Sequence, residues 1–226
     1  MKRASLGVAV LGLLCLFRVA GAAESAHDFA KWEKEISAFE AADRTNPPPK
    51  HVVLFIGSST IRLWKTLATD FPNLQVINRG FGGSEIVDST HFADRILFPY
   101  EPRLVLLRAG GNDINAGRSP EQVFADFQQF VATVHGKLPK AKVIFIAWNP
   151  TIARWKQVDK EKTLNELVKS YAEQTPGVGY LDAEDVSLGP DGKPRPELFA
   201  PDKLHFNAEG YKVLAARVRE GLAKEQ

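Results

Sequence analysis

Short apolar runs alternate with amphipathic stretches along most of this chain. Five of the runs have the length and composition of buried strands, and they lie at residues 51–56, 74–78, 104–107, 143–147 and 178–181. The longer stretches have the 3.6-residue spacing of helices, at residues 86–97, 120–138, 159–174 and 208–223. Apolar strands that alternate with helices predict an α/β fold whose parallel sheet is covered on both faces.

A further amphipathic stretch precedes the first strand, at residues 27–44. Apolar residues recur there at helical spacing among lysines and glutamates, and they are Phe29, Trp32, Ile36 and Phe39. Asp28 is a candidate cap, and the prolines at residues 47–49 end the helix and form a stiff connector. Residues 23–50 are therefore predicted to be a helix and connector that dock on one domain at residues 51–226.

The first 22 residues differ in composition from the rest. Lys2 and Arg3 precede an apolar run at residues 6–17, and the small residues Ala20-Gly21-Ala22 follow it. This order is typical of a secretory signal peptide, and the run is too short to favour a membrane span. We therefore expect cleavage near Ala22, a secreted or periplasmic protein, and no stable membrane insertion after cleavage. An uncleaved anchor is the alternative.

The charge of the chain bears on its partners. The sequence has 29 Lys and Arg residues against 27 Asp and Glu residues. Three of the basic residues and none of the acidic ones lie in residues 1–22, so the remaining chain has 26 basic and 27 acidic residues. A balance so close to neutral does not indicate nucleic acid as a partner.

A serine pair follows the first predicted strand directly. Ser58 and Ser59 come after Gly57, at the point where the strand ends and a helical pattern begins. A serine there lies beside the free N–H groups and the positive end of the helix, which favour a developing negative charge. The position predicts a nucleophilic serine. The alternative is a serine that only caps the helix.

Glycine-rich loops follow the next two predicted strands. Residues 80–83 include three glycines, which can present backbone N–H groups to a ligand without obstruction by side chains. Gly110 and Gly111 precede Asn112 and Asp113 after the third strand, and the Asn112 amide could donate to an oxyanion. Because ligands bind outside the carboxyl ends of parallel strands, both loops are candidates for a site. Tight turns are the alternative in each case.

The last informative loop precedes the closing helix. Asp202 lies three residues before His205, so its carboxylate can reach the imidazole Nδ1 and leave Nε2 facing a nucleophile. A surface turn is the alternative reading of this pair. Asn207 is predicted to cap the closing helix.

These blocks resemble, in order, the four blocks of the SGNH or GDSL hydrolase superfamily. They are Gly57-Ser58-Ser59, residues 78–83, Gly110-Gly111-Asn112-Asp113 and Asp202-Lys203-Leu204-His205. The resemblance covers residues 52–211. It implies a three-layer α/β/α, flavodoxin-like sandwich with a mainly parallel five-stranded sheet, and ester hydrolysis without a metal or cofactor.

The resemblance also implies a role for individual residues. Ser59 becomes the nucleophile, His205 its base and Asp202 the partner of His205. The Ser59 and Gly83 N–H groups and the Asn112 side chain become the oxyanion donors. Ser58 stands where the family has aspartate, and it is the alternative nucleophile.

The run from Phe55 to Ser59, with Trp64 after it, is most similar to one branch of the superfamily. This is the branch of platelet-activating-factor acetylhydrolase-like enzymes and carbohydrate acetylesterases, which implies a small-molecule or carbohydrate ester with a short, acetyl-sized acyl group. The alternatives are a lipase or lysophospholipase-type acylhydrolase, an acyltransferase to sugar, and a binding protein of the same fold without catalysis.

Several large side chains lie near the predicted site and are candidates for a substrate pocket. They are Trp64, Phe81, Trp148, Asn149 and Trp155, with packing in the core or at the rim as the alternative for each. Arg108 ends an apolar strand, and we expect an acidic partner for it.

Overall fold

The computed structural model describes residues 27–224, and these contain a five-stranded sheet. The strands are β1 (Val53–Gly57), β2 (Val76–Gly80), β3 (Leu104–Arg108), β4 (Lys142–Ile146) and β5 (Val178–Leu181). They lie in the order β2-β1-β3-β4-β5, and every neighbouring pair is parallel. The predicted α/β class is confirmed, and the order reverses between β1 and β3, where such sheets bind ligands.

Nine α-helices lie within the described residues. They are α1 (Glu33–Thr45), α2 (Ser59–Arg62), α3 (Leu67–Asp70), α4 (Ile86–His91), α5 (Ala93–Ile96), α6 (Gly111–Asn115), α7 (Pro120–Lys137), α8 (Val158–Gln174) and α9 (Ala208–Ala223). Asn207 caps α9 as predicted, because its side chain accepts hydrogen bonds from the Glu209 and Gly210 N–H groups.

Helices cover both faces of the sheet, as the resemblance implied. One face carries α1, α4, α5, α7 and α8, whose apolar side chains pack with alternate residues of the strands, such as Leu54 and Val105. The other face carries α2, α3 and α9 against the intervening residues, such as Phe55 and Leu106. Both faces of each central strand are therefore buried, which explains why their sequences are apolar throughout.

Several predicted boundaries were wrong, including that of β2, which is Val76–Gly80 rather than residues 74–78. The first strand begins at Val53 rather than at His51, because His51 has a φ of 59° and donates its N–H to the Tyr100 carbonyl oxygen instead of the ladder. The helix predicted over 86–97 is two helices, α4 and α5. They are separated at Phe92, where ψ is 5° and the ring packs edge-on against Phe29 and Phe81.

The N-terminal helix packs on the domain, and it begins later than predicted. A 3₁₀ turn at Ala30–Trp32 precedes α1, and Asp28 accepts a hydrogen bond from the Ala30 N–H. The Trp32 ring lies edge-on against Phe81, with 5.7 Å between ring centroids. The predicted signal peptide lies outside the described residues. Within 27–224, no helix is both long and apolar enough to cross a bilayer.

Candidate active site

The turn between β1 and α2 positions the serine pair. Gly57 has a φ of +133°, and a Cβ atom added there would lie 2.1 Å from the Arg108 carbonyl oxygen. Only glycine fits this close approach of two strands. Ser58 follows in extended conformation and donates its N–H to the same Arg108 oxygen. Ser59 is then the first residue of α2, where its own N–H has no partner within the helix.

Two side chains hold α2 in place, although it has only four residues. The Asn78 amide donates to the Ile61 carbonyl oxygen over 2.6 Å, from the middle of the neighbouring strand β2. The Tyr211 hydroxyl, on α9, donates to the Thr60 carbonyl oxygen over 2.8 Å. A helix this short is unstable alone, so these contacts and the burial of Ile61 fix the Ser59 backbone.

The predicted serine, histidine and aspartate lie together at the carboxyl edge of the sheet. His205 Nε2 lies 2.9 Å from Ser59 Oγ, and His205 Nδ1 lies 2.7 Å from Asp202 Oδ2. Both distances are within hydrogen-bond range, and together they connect three side chains from the two ends of the domain. Ser58, the alternative nucleophile, has a buried Oγ without a hydrogen-bond partner among the described residues.

A tight turn fixes the position of the Asp202 carboxylate. Its Oδ1 accepts hydrogen bonds from the Leu204 and His205 N–H groups over 2.9 and 3.0 Å, and Lys203 between them has a φ of 58°. The hydrogen bond from the His205 ring, with the backbone N–H bonds, lowers the pKa of Asp202 to about 2. Asp202 is therefore a carboxylate throughout the neutral range, even though half of its side chain is exposed.

The three predicted oxyanion donors follow three neighbouring strands at the carboxyl edge of the sheet: Ser59 begins α2 after β1, Gly83 lies in the loop after β2, and Asn112 lies in α6 after β3. Gly83 has a φ of +79°, and its N–H and that of Ser59 have no hydrogen-bond acceptor in the part of the chain that the structure describes. Asn112 Nδ2 donates one hydrogen bond, to the Ser84 carbonyl oxygen over 2.9 Å. Because an amide nitrogen carries two hydrogens, one N–H of Asn112 remains free for a ligand.

A small pocket adjoins Ser59, Asn112 and His205. Its volume is about 20 Å³, close to the minimum that admits a water molecule. The other side chains in its wall include Thr60, Trp148, Asn149, Thr151, Leu204 and Phe206. No group of three or more His, Cys, Asp or Glu side chains within residues 27–224 is arranged to hold a metal ion.

The sequence model of the GDSL-like Lipase/Acylhydrolase family matches residues 57–213, which run from the glycine before the serine pair to α9. The chain belongs to this family. The expected resemblance to SGNH or GDSL hydrolases is thereby confirmed, and a GDSL-type protein of this kind is a carboxylic ester hydrolase.

Curated and solved relatives agree with the family. The bovine (Bos taurus) platelet-activating factor acetylhydrolase IB subunit alpha1 is 30% identical over 183 residues, which are 75% of this chain and 73% of the relative. A GDSL-like lipase from Bacteroides thetaiotaomicron superposes with a TM-score of 0.68 at 19% identity, covering 88% of this chain and 98% of the other. An acetylxylan esterase from Geobacillus stearothermophilus has a TM-score of 0.61 at 16% identity, covering 77% and 95%. These superpositions show the same fold.

The five candidate pocket residues have three different positions in this GDSL-type protein. Trp148 and Asn149 line the pocket beside Ser59. Trp64 and Phe81 are buried in the core and do not line it, because Trp64 packs against Phe55, Phe71 and Tyr211 and Phe81 lies under Trp32. The pocket prediction for these two residues was therefore wrong. Trp155 is 41% exposed and lies outside the pocket wall.

Arg108 is a buried residue of the pocket wall, and its contacts differ from the expected ones. The guanidinium donates to the Ala147 carbonyl oxygen and to Asn149 Oδ1, and it lies 4.7 Å from the centre of the Trp148 ring. These partners are neutral, so the prediction of a directly paired acid was wrong. Burial lowers the pKa of Arg108 to about 10, which still leaves it charged at neutral pH.

Two charged residues of the pocket were not predicted from the sequence. Arg154 donates to Asn112 Oδ1 over 3.0 Å, and Glu161, on α8, is a buried pocket residue whose pKa burial raises to about 7. Arg154 lies in the loop after β4, at the carboxyl edge where ligands bind, so its place in the topology was a usable signal. Glu161 lies within a helical pattern that gives no such sign.

Proposed function

We propose that the protein is a serine esterase in which Ser59, His205 and Asp202 form a catalytic triad. The observation that carries the proposal is the continuous hydrogen-bonded chain from Asp202 through the His205 ring to Ser59 Oγ, with distances of 2.7 and 2.9 Å. A histidine bonded to a serine hydroxyl, and oriented by a carboxylate, is the arrangement that activates serine as a nucleophile.

In the proposed mechanism, Ser59 Oγ attacks the ester carbonyl carbon while His205 Nε2 takes its proton. Asp202 stays ionised, accepts a hydrogen bond from Nδ1 and stabilises the imidazolium that forms. The tetrahedral intermediate then loses its alcohol, which takes the proton from His205. A water molecule repeats the same steps on the acyl-serine, with His205 again as base, and releases the carboxylic acid.

The oxyanion of each intermediate is assigned to the Ser59 N–H, the Gly83 N–H and the free N–H of Asn112. None of these three donors has an acceptor within the described residues, so they are available to a ligand. Donors placed in advance where negative charge develops stabilise the transition state more than the substrate. The N-terminus of α2 adds the positive end of its backbone dipoles at the same point.

We infer that the enzyme hydrolyses esters of short acyl groups, mainly acetyl esters. The pocket beside Ser59 is about the size that admits a water molecule, and a methyl group is of similar size. The names of two relatives also refer to acetyl esters, one of platelet-activating factor and one of xylan. Most side chains of the pocket wall are polar, which suits a carbohydrate acetyl ester better than a lipid chain. We also propose that residues 1–22 direct the protein to secretion or the periplasm.

The test is turnover of p-nitrophenyl esters from acetate to palmitate by the purified protein, with Ser59→Ala and Ser58→Ala as variants. We expect the highest kcat/KM on acetate, a loss of at least about 1,000-fold in Ser59→Ala, and activity within about tenfold of the parent in Ser58→Ala. Circular dichroism and thermal unfolding check that both variants fold.

Each other outcome favours a different function. A maximum at long acyl chains would support a lipase or lysophospholipase, and loss of activity in Ser58→Ala alone would make Ser58 the nucleophile. Acyl transfer to an added sugar in competition with water would support an acyltransferase. No turnover of any ester, with acetylated xylooligosaccharides also tested, would leave a binding protein of the same fold.

A further inference from the structure

Arg154 makes two hydrogen bonds to the first turn of α6, the helix that carries Asn112. Its Nη2 donates to Asn112 Oδ1 over 3.0 Å, and its Nη1 donates to the Gly111 carbonyl oxygen over 3.1 Å. The guanidinium is planar, so two bonds to one turn fix the direction of both acceptors. Arg154 is in this way attached to the side chain that is assigned to the oxyanion.

These contacts allow Asn112 only one orientation of its amide. In the observed orientation, Oδ1 accepts from Arg154 and Nδ2 donates to the Ser84 carbonyl oxygen. Rotating the amide by 180° would place its N–H groups against the guanidinium N–H groups and its oxygen against the Ser84 oxygen. Both contacts would then be repulsive, because donors face donors and acceptors face acceptors.

The loop that carries Arg154 is itself held between the two halves of the site. The Arg154 N–H donates to Thr151 Oγ1 over 3.2 Å, and the neighbouring Ala153 N–H donates to the Lys203 carbonyl oxygen over 3.0 Å. Lys203 lies in the turn between Asp202 and His205. Arg154 is partly buried in the pocket wall, so its guanidinium is held more firmly than that of an exposed surface arginine.

We propose that Arg154 is a positioning residue for the oxyanion site, acting through Asn112. By occupying Oδ1 it directs the second Nδ2 hydrogen, the one that Ser84 does not use, toward the oxyanion. A charged donor on the oxygen of an amide also polarises its N–H groups and strengthens the bonds they donate. The proposal rests on the proposed esterase function, since it assigns Arg154 to the same reaction.

The kinetic test is a double-mutant cycle on p-nitrophenyl acetate. We expect Arg154→Met to lower kcat by roughly 10- to 100-fold with KM nearly unchanged, and Asn112→Ala to lower kcat by roughly 100- to 1,000-fold. The double variant should equal Asn112→Ala within about threefold, since the group that Arg154 positions is then missing. Arg154→Lys keeps the charge but not the planar pair of donors, so it can replace one of the two hydrogen bonds and should recover part of the loss.

Lys156→Met is the matched control. Lys156 lies two residues after Arg154 and is exposed, so this variant removes one positive charge without touching the pocket. It should leave kcat within about twofold of the parent. Three results would overturn the proposal: an Arg154→Met variant with the parent kcat, a Lys156→Met variant that loses as much as Arg154→Met, or a double variant whose loss is the product of the two single losses.

A measurement without turnover separates this proposal from the proposed function. The side-chain amide of Asn112 can be assigned in a ¹H–¹⁵N NMR spectrum as the signal pair that Asn112→Ala removes. We expect Arg154→Met to shift this pair and to speed its exchange with water, while Lys156→Met leaves it in place. An unchanged pair in Arg154→Met would overturn the positioning role, even if the parent protein hydrolyses no ester at all.

Discussion

Asn78 Nδ2 lies 2.6 Å from the Ile61 carbonyl oxygen, and this bond connects the edge strand β2 to the helix that carries Ser59. The other end of the same amide accepts the Gly80 N–H over 2.9 Å. One side chain therefore joins α2, which begins at Ser59, to the last residue of β2, which precedes the loop of Gly83.

Replacing Asn78 should consequently reduce both stability and activity. Asn78→Ala leaves the Ile61 and Gly80 backbone groups without these partners, which costs about 1–3 kcal/mol of the free energy of unfolding. We expect kcat on p-nitrophenyl acetate to fall at least tenfold, because α2 is then free to shift. Urea unfolding and initial rates measure the two effects. The exposed Asn73→Ala is the control, and equal behaviour of both variants would contradict this role.

Asp202 should matter for kcat more than its exposure suggests. Asp202→Asn keeps the shape of the side chain but removes the charge that stabilises the His205 imidazolium, and it favours the wrong ring tautomer. We expect kcat to fall by roughly 100- to 10,000-fold, with thermal stability nearly unchanged. The matched control is Asp191→Asn, in an exposed turn of the same region. A fully active Asp202→Asn variant would remove Asp202 from the triad.

Gly83 should not tolerate a side chain. Its φ is +79°, and an added Cβ atom would lie 3.2 Å from the outer edge of the Trp32 ring. Gly83→Ala therefore has to move the loop and with it the N–H assigned to the oxyanion, so we expect at least a tenfold lower kcat. Gly136→Ala, in α7 with open space around its Cα, is the control. It should keep full activity and raise the free energy of unfolding by up to about 1 kcal/mol.

Burial of Glu161 predicts how stability changes with pH. Its pKa is raised from 4.5 to about 7, so between these values the folded protein holds a proton that the unfolded chain releases. The stabilisation by this group is complete below pH 4.5 and is lost as the pH rises through 7, with a total of up to about 3 kcal/mol. Glu161→Gln should flatten this decline in urea unfolding between pH 5 and 8. The exposed Glu166→Gln should not, and equal slopes in the two variants would contradict the assignment.

Much of the fold follows from local pattern. The strands are apolar on both faces because helices cover both, and this makes them visible in the sequence as continuous runs such as Val53–Ile56. Parallel strands place their carboxyl ends along one edge, so Ser59, Asn112 and His205 could be expected together without any knowledge of their distances. The pairing of His205 with Asp202 is local and depends on one turn.

The positions of some residues depend on how irregular segments pack, and the hydrophobic periodicity of the sequence does not predict this packing. Trp64 follows a helix of one turn, and only the folding of residues 63–71 against α9 places its ring in the core. Arg154 lies in a loop between β4 and α8 whose path is set by hydrogen bonds to Thr151 and Lys203. The neutral partners of Arg108 are likewise backbone and amide oxygens, which spacing alone does not reveal.

Ser59 and His205 are 146 residues apart in the chain. Ser59 begins α2, and His205 lies in the loop that leads into α9. The Tyr211 hydroxyl on α9 donates to the helix of Ser59, so His205 and one of the contacts that hold α2 belong to the same C-terminal segment. Contacts of such long sequence separation form slowly, after the local helices. The time at which esterase activity appears during refolding therefore measures when α9 docks. We expect activity to appear no earlier than the last cooperative step of folding.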